Sequence, residues 1–254
     1  KNQDIQIFHN LKDENVFTVT SIKLPDENLK YTRFTDGDEQ PLFTIPGLTS
    51  LVITDLNKDG LNDVITTGWS SDIISVLLGD TKESLILHQI IPASGGPRSI
   101  ALTDFDNDKL IDLAITMFNS GEILFLKGNE ENKFFEHSRI LTRGSQPHKI
   151  SLADFNTDGK MDIVTNHKKI NNPVEILYGD SIPFSFRLSN TFYFNTTDLE
   201  INTEIVDLLV ADLNNDLLPD IAMVDRKGQQ LIVMINKGSL TKKETTQPTL
   251  FTIE

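Results

Sequence analysis

Short apolar runs alternate with polar loops along most of this chain. The runs are rich in Val, Ile and Leu, as in residues 50–54 and 64–67, and their apolar positions do not recur every 3.6 residues. Runs of this kind are typical of strands, because a helix needs a longer segment with a helical period. The pattern therefore predicts an all-β protein in which tight loops join the strands.

Four of the loops share one arrangement of oxygen-bearing side chains, at positions 1, 3, 5 and 9. The four sets are Asp55, Asn57, Asp59 and Asp63; Asp104, Asp106, Asp108 and Asp112; Asp154, Asn156, Asp158 and Asp162; and Asp212, Asn214, Asp216 and Asp220. The loops start 49, 50 and 58 residues apart. A repeat of this length predicts that one structural unit occurs four times.

Alternating Asp and Asn side chains in a tight loop bring carboxylate and amide oxygens around one point. Ca²⁺ accepts about six to eight oxygen ligands, whereas Mg²⁺ demands octahedral geometry and keeps several waters. The backbone carbonyl at position 7 would add one ligand in each loop. These position-7 residues are Leu61, Leu110, Lys160 and Leu218. We therefore expect up to four structural Ca²⁺ ions, one in each loop.

The first half of each loop also matches an EF-hand, so that alternative has to be tested. An EF-hand places a bidentate Glu at position 12 and a helix on each side of the loop. Position 12 is occupied here by Thr66, Ile115, Thr165 and Met223. Because the flanking segments are also strand-like, the loops are expected to join strands.

On these motifs the chain resembles the FG-GAP repeats of integrin alpha chains and the related VCBS repeats. The core of that family is Asp-x-Asn-x-Asp-Gly-x-x-Asp between strands, and the resemblance covers about residues 48–254. Further matching segments are residues 78–80, 96–105, 146–155 and 178–180. The resemblance implies a β-propeller of four-stranded antiparallel blades, with calcium in the loop that joins the first two strands of a blade. Lys109 and Leu217 depart from the family pattern, which has Gly at position 6.

The repeat divides the chain into blades of about 50 residues. The predicted blades are residues 48–95, 96–145, 146–203 and 204–254, and residues 1–47 form a partial blade. A further segment, residues 34–39, has the composition of a decayed Asp loop. Because a bare terminal blade would expose a strand edge, the chain is either a single closed propeller or an arc of a longer one.

Calcium bound in the Asp loops would reduce the negative net charge of the protein. The formal charge is −14, and four Ca²⁺ ions would reduce it to about −6. An acidic surface disfavours nucleic acid and anionic membranes, and no apolar run approaches the ~18 residues of a membrane-spanning helix. We expect no nucleic-acid partner and no direct membrane insertion.

The same loops give a hypothesis about the compartment. They carry few carboxylates and no bidentate Glu, which predicts weak calcium binding, and weak loops fill only where calcium is about millimolar, as outside cells. An extracellular or cell-surface location follows as a hypothesis. The chain has no Cys, which excludes disulfides and thiolate chemistry without fixing the compartment.

Strand direction separates the Asp loops from a candidate ligand face. In a four-stranded meander, the connections between strands two and three, and those between blades, lie at the end opposite the Asp loops. That end is predicted to hold Trp69, Arg98, Phe118 and His148, together with Lys168, Asn171 and Arg226. An exposed Trp suits sugar stacking or a protein contact. The five histidines are expected at the surface, without a metal or catalytic cluster.

Taken together, the sequence favours a recognition or adhesion scaffold that binds a protein or, in a lectin-like manner, a carbohydrate. No nucleophile motif or acid-base constellation is evident, so catalysis is not expected. Two alternatives remain. The chain could be the propeller module of a larger secreted enzyme, or a structural spacer in a surface assembly. Propeller specificity resides in loop shape, so the sequence leaves the ligand open.

Overall fold

The computed structural model describes seven stretches of the chain, residues 4–11, 16–23, 47–81, 84–169, 174–192, 204–238 and 249–252. Within them every regular element is a strand, and no helix is long and apolar enough to cross a membrane. The chain divides into two compact units, Lys1–Pro97 and Arg98–Glu254, and each is described by itself. The predicted decayed loop at residues 34–39 lies outside the described residues.

The first unit contains two antiparallel sheets. Strands β1 (Asp4–Leu11) and β2 (Val16–Lys23) pair with each other. The second sheet has the order β3-β4-β5-β6, formed by Leu48–Thr54, Asp63–Gly68, Ile73–Thr81 and Ser84–Pro92. Its strands therefore follow chain order, with the first Asp loop between β3 and β4.

The second unit contains three four-stranded sheets with the same meander topology. The first comprises β7 (Pro97–Thr103), β8 (Asp112–Met117), β9 (Glu122–Gly128) and β10 (Phe134–Leu141). The next comprises β11 (Ser145–Ala153), β12 (Asp162–Lys169), β13 (Val174–Gly179) and β14 (Phe186–Phe192). The last comprises β15 (Ile205–Ala211), β16 (Asp220–Asp225), β17 (Gln230–Met234) and β18 (Thr249–Thr252).

The second strands of the β3–β6 and β7–β10 sheets are covered on both faces. All six residues of β4 and of β8 are buried, whereas β3 alternates between half-buried and exposed positions. A strand covered on both faces reads as a continuous apolar run, which explains why the runs after the Asp loops lack polar alternation. The Asp loops therefore begin at the end of one strand and lead into a buried one.

Apolar side chains fill the spaces between the sheets of the second unit. One cluster joins the β7–β10 and β11–β14 sheets and includes Ala114, Phe125, Ile163 and Leu177. Phe125 stacks on Phe186 with ring centroids 5.2 Å apart. A second cluster joins the β11–β14 and β15–β18 sheets. The sheets therefore pack face to face, as blades do.

These observations confirm the predicted fold class, a β-propeller architecture of four-stranded antiparallel blades. The predicted blades are residues 48–95, 96–145, 146–203 and 204–254. The four-stranded sheets span residues 48–92, 97–141, 145–192 and 205–252. The alternatives of a closed propeller and an arc of a longer one stay as the sequence left them.

Candidate functional site

Each Asp loop connects the first and second strands of its sheet, and its side chains fold back on the loop's own backbone. In the third loop, Asp154 accepts hydrogen bonds from the backbone N–H groups of Asp158 (3.0 Å) and Gly159 (2.7 Å). The position-1 residues of the other loops, Asp55, Asp104 and Asp212, accept the corresponding two bonds at 2.7–3.1 Å. One carboxylate thus fixes the turn in all four copies.

Positions 3 and 5 continue the same pattern. The side-chain oxygen at position 3 (Asn57, Asp106, Asn156 or Asn214) accepts the N–H of position 5 at 3.0–3.2 Å. The carboxylate at position 5 (Asp59, Asp108, Asp158 or Asp216) accepts the N–H of position 7 at 2.7–3.0 Å. The oxygens of positions 1, 3 and 5 therefore gather around one turn, and oxygen ligands of this kind are those that a hard cation takes.

Position 6 adopts a left-handed backbone conformation whether or not it is Gly. The φ angles are 85° at Gly60 and 83° at Gly159, compared with 71° at Lys109 and 69° at Leu217. The two departures from the family pattern therefore keep the loop geometry, at a steric cost of about 1 kcal/mol each.

Position 9 has a structural role that the sequence alone did not reveal. Its carboxylate is fully buried in all four loops. One oxygen of Asp162 accepts the N–H of Phe155 and the other accepts the N–H of Gly179, both at 2.8 Å. The equivalent pairs of donors are Leu56 and Gly79 for Asp63, Phe105 and Gly128 for Asp112, and Leu213 and Asn236 for Asp220. This carboxylate ties the start of its loop to the end of the third strand.

A sequence signal for this tie did exist, in the Gly that recurs at the end of the third strand. A side chain at Gly128 would lie 2.1 Å from the carbonyl oxygen of Ile111, and one at Gly179 would lie 2.6 Å from that of Met161. In these two copies the strand approaches the loop so closely that a Cβ would clash with it. Position 236, where the fourth copy has Asn, shows that the tie tolerates another residue.

Burial raises the pKa of two of these carboxyls. It raises the pKa of Asp162 to about 6, although the N–H groups of Gly179 and Phe155 act in the opposite direction. Burial likewise raises the pKa of Asp112, and the nearby Asp106 and Asp108 add to the effect. A bound cation would favour the ionised form of both groups.

The second loop has the densest group of carboxylates. Oxygens of Asp104, Asp106 and Asp108 lie within 4.8 Å of one another. Lys127 of β9 forms an ion pair with Asp106 and lies 3.1 Å from Asp108. These two carboxylates raise the pKa of Lys127, and the pKa of Asp108 is lowered by its bond to the N–H of Leu110 and by Lys127.

The four loops thus fit a calcium ion to different degrees. In loops one, three and four the oxygens of positions 1, 3 and 5 could hold it, and the position-9 carboxylate keeps spare lone pairs beside its two N–H donors. In loop two the ammonium group of Lys127 already pairs with two of the carboxylates, and in loop three that of Lys160 lies 3.4 Å from Asp158. The position-7 residues (Leu61, Leu110, Lys160 and Leu218) donate their N–H to position 5, and the ligand role of their carbonyls stays a prediction.

Three of the four predicted ligand-face residues come together in the second unit. Arg98 and His148 line a cavity of about 230 Å³ with Lys168 and Arg226, at the strand ends opposite the Asp loops. Phe118 is only 7% exposed, so its ring is packed inside the protein and its predicted ligand contact stays a prediction. Its ring instead lies beneath the guanidinium of Arg98, with 5.0 Å from Cζ to the ring centroid.

The remaining predicted positions have different outcomes. Trp69 lies in the first unit and is 37% exposed. The expectation of surface histidines is wrong for His167, which is fully buried in β12 and lies 3.6 Å from the buried Glu175. The His167 ring packs directly against Gly144, where a side chain would clash with it. Packing between distant parts of the chain thus encloses the ring. Asn171 lies outside the described residues.

Comparison with known proteins places these loops in a family. The model of the FG-GAP-like repeat matches residues 55–115 and 104–165, which contain the first three Asp loops. Residues 55–165 thus carry FG-GAP-like repeats. A comparison with curated proteins found no significant match.

Solved structures resemble this chain in fold. They include a protein from Lactobacillus plantarum (13% identity, TM-score 0.66) and a candidate 6-phosphogluconolactonase from Bacteroides fragilis (13%, 0.63). Virginiamycin B lyase from Staphylococcus aureus is also similar (18%, 0.52). The alignments cover 98%, 97% and 98% of this chain, respectively, and the chain spans 63% of each of the three structures. At these identities the likeness concerns the fold alone.

Proposed function

We propose that this protein is a calcium-stabilised β-propeller that acts outside the cell or at its surface as a recognition or adhesion scaffold, without catalysis of its own. The observation that carries the proposal is the fourfold recurrence of one loop geometry. In each loop, oxygens at positions 1, 3 and 5 surround one turn with a left-handed residue at position 6. Ordinary solvated turns do not require this shared set of oxygens.

The ion would act on folding and stability. When bound, Ca²⁺ supplies positive charge among carboxylates that otherwise repel one another. The residues at positions 1, 3 and 5 would hold it, and the position-9 carboxylate would connect the ion to the third strand. Each site would therefore stabilise the connection between the first three strands of its sheet.

Thermal unfolding with and without calcium tests this part of the proposal. Chelation at low ionic strength should lower the melting temperature, and added Ca²⁺ should restore it better than equimolar Mg²⁺, because the loops suit a cation with flexible coordination. A matched concentration of NaCl controls for simple screening. A melting curve that responds to neither chelator nor calcium would refute the structural ion.

Recognition would occur at the end opposite the Asp loops, where Trp69, Arg98, Phe118 and His148 were predicted. The basic cavity in the second unit supports this assignment for Arg98 and His148. A glycan array and a screen for protein partners would distinguish a carbohydrate ligand from a protein ligand. Loss of all binding only when the Asp loops are changed would contradict the assignment of the face.

A second candidate function is a propeller module of a larger secreted enzyme. Two of the similar structures carry enzyme names, and this chain spans only 63% of their length. Lactonase and lyase assays on this chain test the candidate. Turnover that is lost on changing a residue of the basic cavity would favour it over a scaffold without catalysis.

A further inference from the structure

The basic cavity of the second unit is unusual for so acidic a chain. The protein carries a formal charge of −14, yet this cavity is lined by three permanent cations, Arg98, Lys168 and Arg226, and by one carboxylate, Glu204. The cations come from three different sheets, and each lies at the strand ends opposite the Asp loops. Their convergence concentrates positive charge at one point, which favours an anionic ligand.

Two of the three cationic groups lie over one aromatic ring. Cζ of Arg98 lies 5.0 Å from the ring centroid of Phe118, and Nζ of Lys168 lies 5.8 Å from it. The imidazole of His148 meets the same ring edge to face, with centroids 6.3 Å apart. Cation–π contacts of this kind orient a charged group beside the ring. Phe118 is therefore a positioning residue of the cavity.

Two further features of the cavity concern the hydrogen bonds and the charge available to a ligand. Among the described residues, Nδ1 of His148 is buried without a hydrogen-bond partner, and an unmade bond of this kind is costly in a folded protein. Arg226 is paired with Glu204, with Nε 3.2 Å from the carboxylate. Part of the positive charge is thus already neutralised, which predicts modest rather than tight binding.

From these contacts we infer that Arg98, Lys168 and Arg226 form a binding site for one oxyanion group, a carboxylate or sulfate carried by a single acidic sugar residue. The cavity of about 230 Å³ is smaller than the roughly 300–1,000 Å³ of sites for drug-sized molecules, so it suits one small group. Arg offers a planar fork of donors to such a group and Lys a compact charge. The inference rests on the proposed recognition function and names the class of ligand.

Titration of the whole chain with D-glucuronate, followed by the NMR signals of the His148 ring, tests the inference. Glucuronate should shift these signals in a saturable way, and glucose, its neutral counterpart, should not. Arg98→Gln should weaken glucuronate binding about tenfold, since it removes a charge-assisted hydrogen bond. Arg187→Gln, which removes the same charge near Asp180 at the Asp-loop end, should leave the affinity within about twofold.

A gain of affinity provides a test that misfolding cannot imitate. Glu204→Gln removes the carboxylate that pairs with Arg226 and should tighten glucuronate binding about fivefold. Inorganic sulfate at equal concentration distinguishes a free anion from a sugar-borne one, because the inference requires glucuronate to bind more tightly. Equal binding of glucose, equal or tighter binding of sulfate, or weaker binding by Glu204→Gln would overturn it. Such results would leave the calcium-dependent melting untouched, so failure here is separable from failure of the scaffold proposal.

Discussion

The ammonium group of Lys127 lies 3.1 Å from a carboxylate oxygen of Asp108 and also pairs with Asp106, within the second Asp loop. The second loop alone has Asp at position 3, where the other three have Asn. The residues that correspond to Lys127 in the other repeats are Leu78, Tyr178 and Ile235. The extra negative charge and the Lys thus occur in the same repeat, which indicates charge compensation inside the loop.

Because Lys127 pairs with two of the carboxylates that a metal ion would bind, Lys127→Leu should strengthen calcium binding at the second loop. The expected gain is roughly fivefold, the upper end for a partly exposed ion pair. Calorimetric titration with Ca²⁺ measures it. Lys133→Leu is a matched control, since Lys133 is equally exposed and pairs with Glu131 outside the loop. Calcium affinity that stays unchanged or falls in Lys127→Leu would contradict the compensation.

The position-9 carboxylates predict a loss of stability that does not depend on metal. Asp162→Asn places an amide N–H₂ against a backbone N–H donor, so one buried hydrogen bond is lost at a cost of about 2 kcal/mol. Asp158→Asn at position 5 is the control, because that side chain is more exposed and lies in the loop. In urea unfolding with chelator present, Asp162→Asn should lower the free energy of unfolding, and Asp158→Asn should scarcely change it. With calcium added, both variants should be less stable than the unchanged protein. Equal effects in chelator would show that position 9 acts only as a ligand.

The local part of this structure could be predicted from the sequence because its signals are local. Strand type follows from β-branched runs, and the turn follows from Asp, Asn and Gly at fixed spacing. The hydrogen bonds of Asp154, for example, all lie within its own loop. The fold class and the four loops could therefore be predicted from the sequence.

The parts that escaped prediction depend on which strands become neighbours. Leu113 of β8 pairs with Leu126 of β9, and this register brings Lys127 beside the second loop from 21 residues away. The burial of Phe118 and His167 has the same origin, since packing across sheets encloses them. Spacing along the chain carries no information about such contacts.

Backbone strain at position 6 predicts that Leu217→Gly improves the fourth loop. Leu217 has a φ of 69° and an exposed side chain, so Gly relieves strain of up to about 1 kcal/mol without removing a buried contact. Calcium affinity of that loop should rise up to about fivefold. The reverse change, Gly159→Leu, should weaken the third loop by a similar factor. Crystals soaked at graded calcium should lose density in the fourth loop first, and earlier loss from the first or third would contradict this ranking.

His148 supplies a prediction about pH. Burial, followed by the positive charges of Arg98, Lys149 and Lys168, lowers its pKa to about 4, and Asp207 opposes this only weakly. An unfolded chain has a His pKa of about 6.5. Because the folded form favours the neutral ring, the stability contributed by His148 is complete above pH ~6.5 and is lost as the pH falls towards 4.

An NMR titration of the histidine rings should therefore place the midpoint of His148 near pH 4. His148→Asn should flatten the fall in melting temperature between about pH 6.5 and 4, because the variant has no ring to protonate in the unfolded chain. Arg98→Gln should move the midpoint upward by removing a neighbouring charge, whereas Arg187→Gln, at the far strand ends, should not. Saturating glucuronate should also raise the midpoint, since a bound anion favours the protonated ring. A midpoint at pH 6 or above in the unliganded protein would mean that His148 is neither buried nor surrounded by positive charge in solution.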